Sequence, residues 1–164
     1  MNTDFPLMDP TRDLFFERIV DVSPALVWRV WTEPAHLMKW FCPVPWPTTE
    51  CEIDLRPGGR FRTVMQGPNG ERFDNVGCYL EVVAQRRLTW TSALEPGYRP
   101  APPGGPLSFP FTATVTMEPQ GSGTRYRALA MHRDAESRKQ HADMGFEEGW
   151  GKALDQLVAH VKTL

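Results

Sequence analysis

Cysteine is scarce and badly placed for cross-linking. The three thiols, Cys42, Cys51 and Cys78, are odd in number and widely spaced, so they offer no disulfide framework and no CxxC zinc pair. A basic surplus is missing as well. Eighteen Lys and Arg stand against twenty Asp and Glu, a formal net charge of -2. That argues against nucleic acid or an anionic membrane as the main partner, because phosphate binding needs positive charge in excess. No apolar run approaches the roughly 20 residues that a membrane span requires, and residues 1–11 are polar and acidic rather than leader-like. The four histidines, His36, His132, His141 and His160, show no HExxH or comparable spacing, so neither a metal nor another cofactor is expected. Gly58-Gly59 joins two strand-like segments and opens no helix, which excludes a phosphate loop. The expectation is a soluble cytoplasmic protein.

What is present fits one globular domain. The 164 residues allow a real core, and 41% apolar with 23% charged residues lies near the globular average. Residues 1–12 read as a loose lead-in and 13–164 as the domain. Sixteen prolines are unevenly spread, with six between Pro96 and Pro110 and three between Pro43 and Pro47. The stretches between are free to form regular structure.

Asp13 to Val22 is rich in strand formers and ends at Ser23-Pro24, an N-cap followed by proline at the first helical position. Val27, Trp28 and Trp31 then recur at helical spacing, Glu33-Pro34 interrupts, and a second short helix runs to Phe41. From residue 50 the period becomes two: Cys51, Ile53 and Leu55 alternate with Glu50, Glu52 and Asp54. Arg56-Pro57-Gly58-Gly59 and Gly67-Pro68-Asn69-Gly70 read as turns, with strands at 61–65, 72–83 and 87–91 and a bulge expected at Gly77. Residues 92–108 form a Pro/Gly loop, Phe109 to Met117 and Thr124 to His132 alternate as strands, and Asp134 to Thr163 reads as a single long helix. Hairpin-connected strands followed by an amphipathic helix define an α+β fold in which sheet and helix bury their apolar faces together.

These segments resemble a known family. Ser23-Pro24 with Val27-Trp28, Glu33-Pro34, Leu37 and Trp40-Phe41 is similar to its opening helices, and Asp54-Leu55-Arg56-Pro57-Gly58-Gly59-Arg60-Phe61 to its most specific strand-turn-strand motif. Gly77 through Leu80-Glu81-Val82-Val83, Arg87-Leu88-Thr89-Trp90, Gly123-Thr124 and Gly145-Phe146-Glu147-Glu148-Gly149-Trp150 extend the likeness over residues 13–163. The family is the one similar to the C-terminal domain of the activator of heat-shock protein 90 ATPase, within the START-like (SRPBCC) superfamily. The resemblance implies a helix-grip fold, a curved antiparallel sheet wrapped around a long C-terminal helix with a cavity between them. It transfers no universal catalytic motif, and the superfamily spans lipid carriers, cyclases and chaperone regulators.

The expected cavity wall comprises Phe61, Met65, Trp90, Phe109, Phe111, Met117 and Tyr126 from the sheet, Trp40 from the second helix and Trp150 from the last, with loop 92–108 as a lid. An ordinary filled core is the competing reading of the same aromatics. His132, at the end of the last strand, is a candidate acid or base or a hydrogen-bonded structural residue. On a continuous helical wheel Asp143 and Glu147 fall within about 20° of Leu154. They are expected either to line the cavity mouth and contact a polar ligand group, or to be wet or paired with Arg where the helix start projects past the sheet. Three functions follow: a binder of a small hydrophobic or amphipathic molecule, a cyclase- or hydrolase-like enzyme using Asp143, Glu147 or His132, and a chaperone-interacting module. The apolar wall and the lack of a catalytic set favour the first.

Overall fold

The computed structural model describes residues 5–104 and 109–164. Strand β1 (Asp13–Val20) buries Leu14, Phe16 and Val20 and turns Phe15 and Ile19 outward. It ends where the Ser23 hydroxyl accepts a hydrogen bond from the Leu26 amide at 3.3 Å and Pro24 opens helix α1 (Pro24–Thr32). Glu33 closes α1 and is followed at once by the short helix α2 (Pro34–Leu37). Strands β2 (Thr48–Ile53), β3 (Arg60–Gln66), β4 (Arg72–Val83), β5 (Arg87–Thr91), β6 (Leu94–Glu95), β7 (Arg99–Pro100), β8 (Thr112–Gln120) and β9 (Gly123–Met131) come next, then helices α3 (Ala135–Asp143) and α4 (Phe146–Val161).

Seven of the strands form one antiparallel sheet in the order β1-β9-β8-β5-β4-β3-β2. The register Phe16↔Ala128, Val115↔Ala128, Leu88↔Val115, Trp90↔Ala113 and Tyr79↔Trp90 puts one continuous apolar face inward. Alanines 113, 128 and 130 occupy the centre of that face and are fully buried. Their small side chains let α1 settle against β8 while α4 lies against α1 and β1. Large rings gather further out, on β3, β4 and β5. The opposite face is held by charge: Arg62 donates to both oxygens of Asp74 at 3.0 and 2.9 Å, and Arg72 reaches Glu50 at 2.7 Å.

The turn between β2 and β3 needs its second glycine for space. A Cβ on Gly59 would stand 2.0 Å from the Asp54 carbonyl oxygen, because the chain folds back so that the Asp54 amide donates to the Arg60 carbonyl at 2.8 Å.

Four sequence expectations shift. The helix expected over 134–163 is two helices: α3 stops at Met144, and Gly145 takes a left-handed φ of 88° before α4 begins. A β-branched or bulky residue would resist that conformation, whereas glycine enters it freely. Strand β8 begins at Thr112 rather than at Phe109. The register shift in β4 lies between Tyr79 and Glu81, not at Gly77. The loop from 92 contains the hairpin β6–β7, and its residues 105–108 lie outside the described residues.

Candidate functional site

Two aromatic groups occupy the space between sheet and helices. In the first, Trp31 of α1 is the hub, with ring centroids 4.9 Å from Trp40, 5.6 Å from Phe41 and 5.4 Å from Trp90. Phe61 stacks on Tyr79 at 5.1 Å and meets Phe41 and Trp90 at 5.7 and 5.3 Å. Trp40 anchors the group by donating from Nε1 to the Val30 carbonyl at 3.0 Å. The segment after it is tied to α4, since the Gln156 amide donates to the Trp40 and Cys42 carbonyls at 2.9 and 2.8 Å. Trp40, Phe61, Trp90, Met117 and Tyr126 are buried. Met65 stands apart, paired between Thr48 and Phe73 towards the far end of β3 and only half-buried.

The Tyr79 hydroxyl is buried within this group and has no hydrogen-bond partner among the described residues. Burial, with Cys51 nearby as a secondary cause, pushes its phenol well above the usual tyrosine range. The Cys51 thiol is itself raised to about 11 by burial and then by Glu52, and burial raises Cys42 too. Both stay protonated at neutral pH, so neither is an activated nucleophile.

The second group lies at the end of β9. His132 Nδ1 is 2.8 Å from the Arg12 carbonyl oxygen, and His132 Nε2 is 2.8 Å from His141 Nδ1. A carbonyl only accepts, so His132 carries a proton on Nδ1, and with that ring neutral His141 Nδ1–H donates to His132 Nε2. Burial lowers both, and the proximity of His132 helps hold His141 at about 4. Phe111, Phe109 and Phe146 enclose His141 at centroid distances of 4.8, 5.3 and 5.2 Å, and Trp150 adjoins Phe146 at 5.4 Å. Of the expected wall, Phe109, Phe111 and Trp150 meet here beside His132.

Asp143 and Glu147 are exposed. Asp143 pairs with Lys139 at 2.7 Å across one helical turn. The break at Gly145 ends the wheel that joined Asp143 to Leu154. Glu147 keeps its phase relative to Leu154, but beside the buried Phe146 it faces outward. There it lines an open groove of about 410 Å³ with Met8, Phe15, Arg138 and Phe146. Another open groove, of about 600 Å³, lies between the β2–β3 turn and Tyr98 of the β6–β7 hairpin. Both are external. Inside, among the described residues, Trp31, Phe41 and Tyr79 join the ring contacts of the expected wall. Half-exposed apolar side chains remain against this core at Phe41, Cys51, Ile53, Phe111 and Trp150.

Sequence reasoning missed Tyr79 and His141. Tyr79 has the signal of alternation in β4, whereas nothing near His141 distinguishes it from a surface histidine on a polar helix. Among the described residues no three His, Cys, Asp or Glu side chains assemble as a metal set, and no helix is long and apolar enough to cross a membrane.

A crystal structure of a protein from Nitrosomonas europaea superposes with a TM-score of 0.90 at 49% identity, covering 95% of this chain and 97% of that one. A crystal structure from Mycobacterium smegmatis gives 0.76 at 25% identity, with 96% and 99% covered, and a solution structure from Arthrobacter aurescens gives 0.78 at 24%, with 94% and 88% covered. Among curated proteins none matches. Residues 21–162 match the family described as activator of Hsp90 ATPase homolog 1-like protein, and with its seven-stranded curved sheet and C-terminal helix the chain belongs to that family of START-like (SRPBCC) domains.

Proposed function

We propose that the chain binds a small hydrophobic or amphipathic molecule between the sheet and α4, against Phe41, Ile53, Phe111 and Trp150, with the Tyr79 hydroxyl as the polar contact. The Tyr79 hydroxyl carries the reading. An unsatisfied buried hydroxyl costs about 1–3 kcal/mol, and Phe at that position would avoid the cost with the same ring. A ligand oxygen or nitrogen that reaches the hydroxyl offsets it, and the half-exposed apolar rim supplies the rest of the contact. Rotation of one or two rings in the Trp31 cluster opens the space. Of the residues a cyclase or hydrolase would use, Asp143 and Glu147 are at the surface and both nitrogens of His132 are engaged by the Arg12 carbonyl and His141, so binding is favoured over catalysis.

The test pairs native mass spectrometry of freshly purified protein with a titration of 1-anilinonaphthalene-8-sulfonate followed by fluorescence. Tyr79→Phe is expected to raise stability by about 1 kcal/mol and to weaken binding of the co-purified molecule three- to tenfold, the worth of one hydrogen bond. Trp150→Ala is expected to weaken both ligands. If no small molecule co-purifies, the probe does not bind and Tyr79→Phe only stabilises, the interior is a filled core. A stable complex with an Hsp90-type chaperone, unaffected by either substitution, would then identify the domain as a protein-binding module.

A further inference from the structure

The two histidines outside the buried pair also meet. His36 Nδ1 of α2 lies 3.0 Å from His160 Nε2 in the last turn of α4, although the residues are 124 positions apart. We propose that His36 and His160 form a two-nitrogen chelating site for a divalent transition-metal ion of the nickel or copper type. The inference is independent of the ligand reading above.

The separation matches a chelate bite. Two metal–nitrogen bonds of about 2.05 Å whose nitrogens are 3.0 Å apart subtend about 94° at the metal. That is the cis angle of a tetragonal or octahedral ion, and it is smaller than the tetrahedral angle preferred by zinc. At present the two nitrogens share one proton. A metal replaces it when each ring keeps its proton on the far nitrogen, which takes a tautomer shift and a turn of the rings that brings each lone pair about 43° off the N–N line. Both rings are half-buried, so water has access to fill the remaining positions. The site also sits at the C-terminal end of α4, where the helix dipole favours a cation.

The local charges act in both directions. His160 is held below the usual histidine range by burial first and then by His36 and Lys39, which keeps its lone pair free at neutral pH. Lys39 nevertheless repels a metal ion. The buried pair His132–His141 has a similar separation but no room for further ligands, because Phe109, Phe111 and Phe146 enclose it. It serves as the internal control.

The experiment is a titration of the full-length protein with nickel chloride at pH 7.5, followed by amide NMR with a reducing agent that does not chelate metal. Paramagnetic broadening is expected to centre on residues near His36 and His160. His36→Ala and His160→Ala should each weaken binding at least tenfold, Lys39→Gln should tighten it, and lowering the pH to 5.5 should release the metal. Broadening centred on the N-terminus, on Cys42 or on His132 and His141 overturns the proposal, as does unchanged affinity in His160→Ala. Should an alanine variant fail to fold, the localisation of broadening in the unsubstituted protein decides.

Discussion

Acid should destabilise this domain through the His132–His141 pair before most carboxylates protonate. In the folded state His141 titrates at about 4, against 6.5 for a free histidine. Between those values the unfolded chain takes up a proton that the folded chain refuses, so stability falls as pH falls. The loss begins near pH 6.5 and is complete below about 4, where both states are protonated. At 1.36 kcal/mol per unit, the whole window is worth about 3 kcal/mol, of which about 2 kcal/mol is lost by pH 5. The physical origin is burial among three phenylalanine rings first, and then the proximity of His132. Asp13, Asp134 and Arg138 also act on His132, the acids raising it and the arginine lowering it. Urea unfolding at fixed ionic strength from pH 8 to 4.5 measures the slope. His141→Asn places a non-titrating donor near the Nδ1 position and should flatten the slope between pH 6.5 and 5 relative to the parent, whatever its effect at pH 8. Parallel pH profiles for the two proteins would refute the reasoning. So would a His141 imidazole that titrates near 6.5 by NMR.

Three further outcomes follow from the backbone and the surface. Gly59→Ala should cost more than about 2 kcal/mol, or prevent folding, because its Cβ would collide with the Asp54 carbonyl; urea unfolding or soluble yield reads it. Gly145→Ala meets open space at a φ of 88°, so its cost should be conformational only, about 1–2 kcal/mol by urea unfolding. The double variant Asp143→Asn/Glu147→Gln should leave the urea midpoint within error of the parent and any ligand affinity unchanged, since both groups are exposed; a large loss of binding would return these carboxylates to the site.

Most strands were readable from the sequence because their signals are local. Alternation in 51–53 and 113–117 set which side chains face inward, the Pro-Gly-Gly and Gly-Pro-Asn-Gly turns set where hairpins reverse, and Ser23-Pro24 set where β1 ends. The break between α3 and α4 was not readable in this way. A lone glycine is tolerated inside helices, and the apolar spacing on either side of Gly145 continues smoothly enough to suggest one helix. That misreading carried Asp143 to the core side on paper.

The sequence by itself determined the element types, the antiparallel hairpin succession and the apolar composition of one sheet face, since each depends on residues within a few positions of one another. Tertiary structure alone decided how that face is used. Whether the rings of β3 to β5 line a hollow or touch depends on Trp31 and Phe41 arriving from helices dozens of positions away. The pairing of His132 with His141 depends on α3 folding back over β9, and that of His36 with His160 on α4 reaching the start of the chain's helical region. Such contacts are set by close packing of distant elements around a shared core, and no local periodicity encodes them.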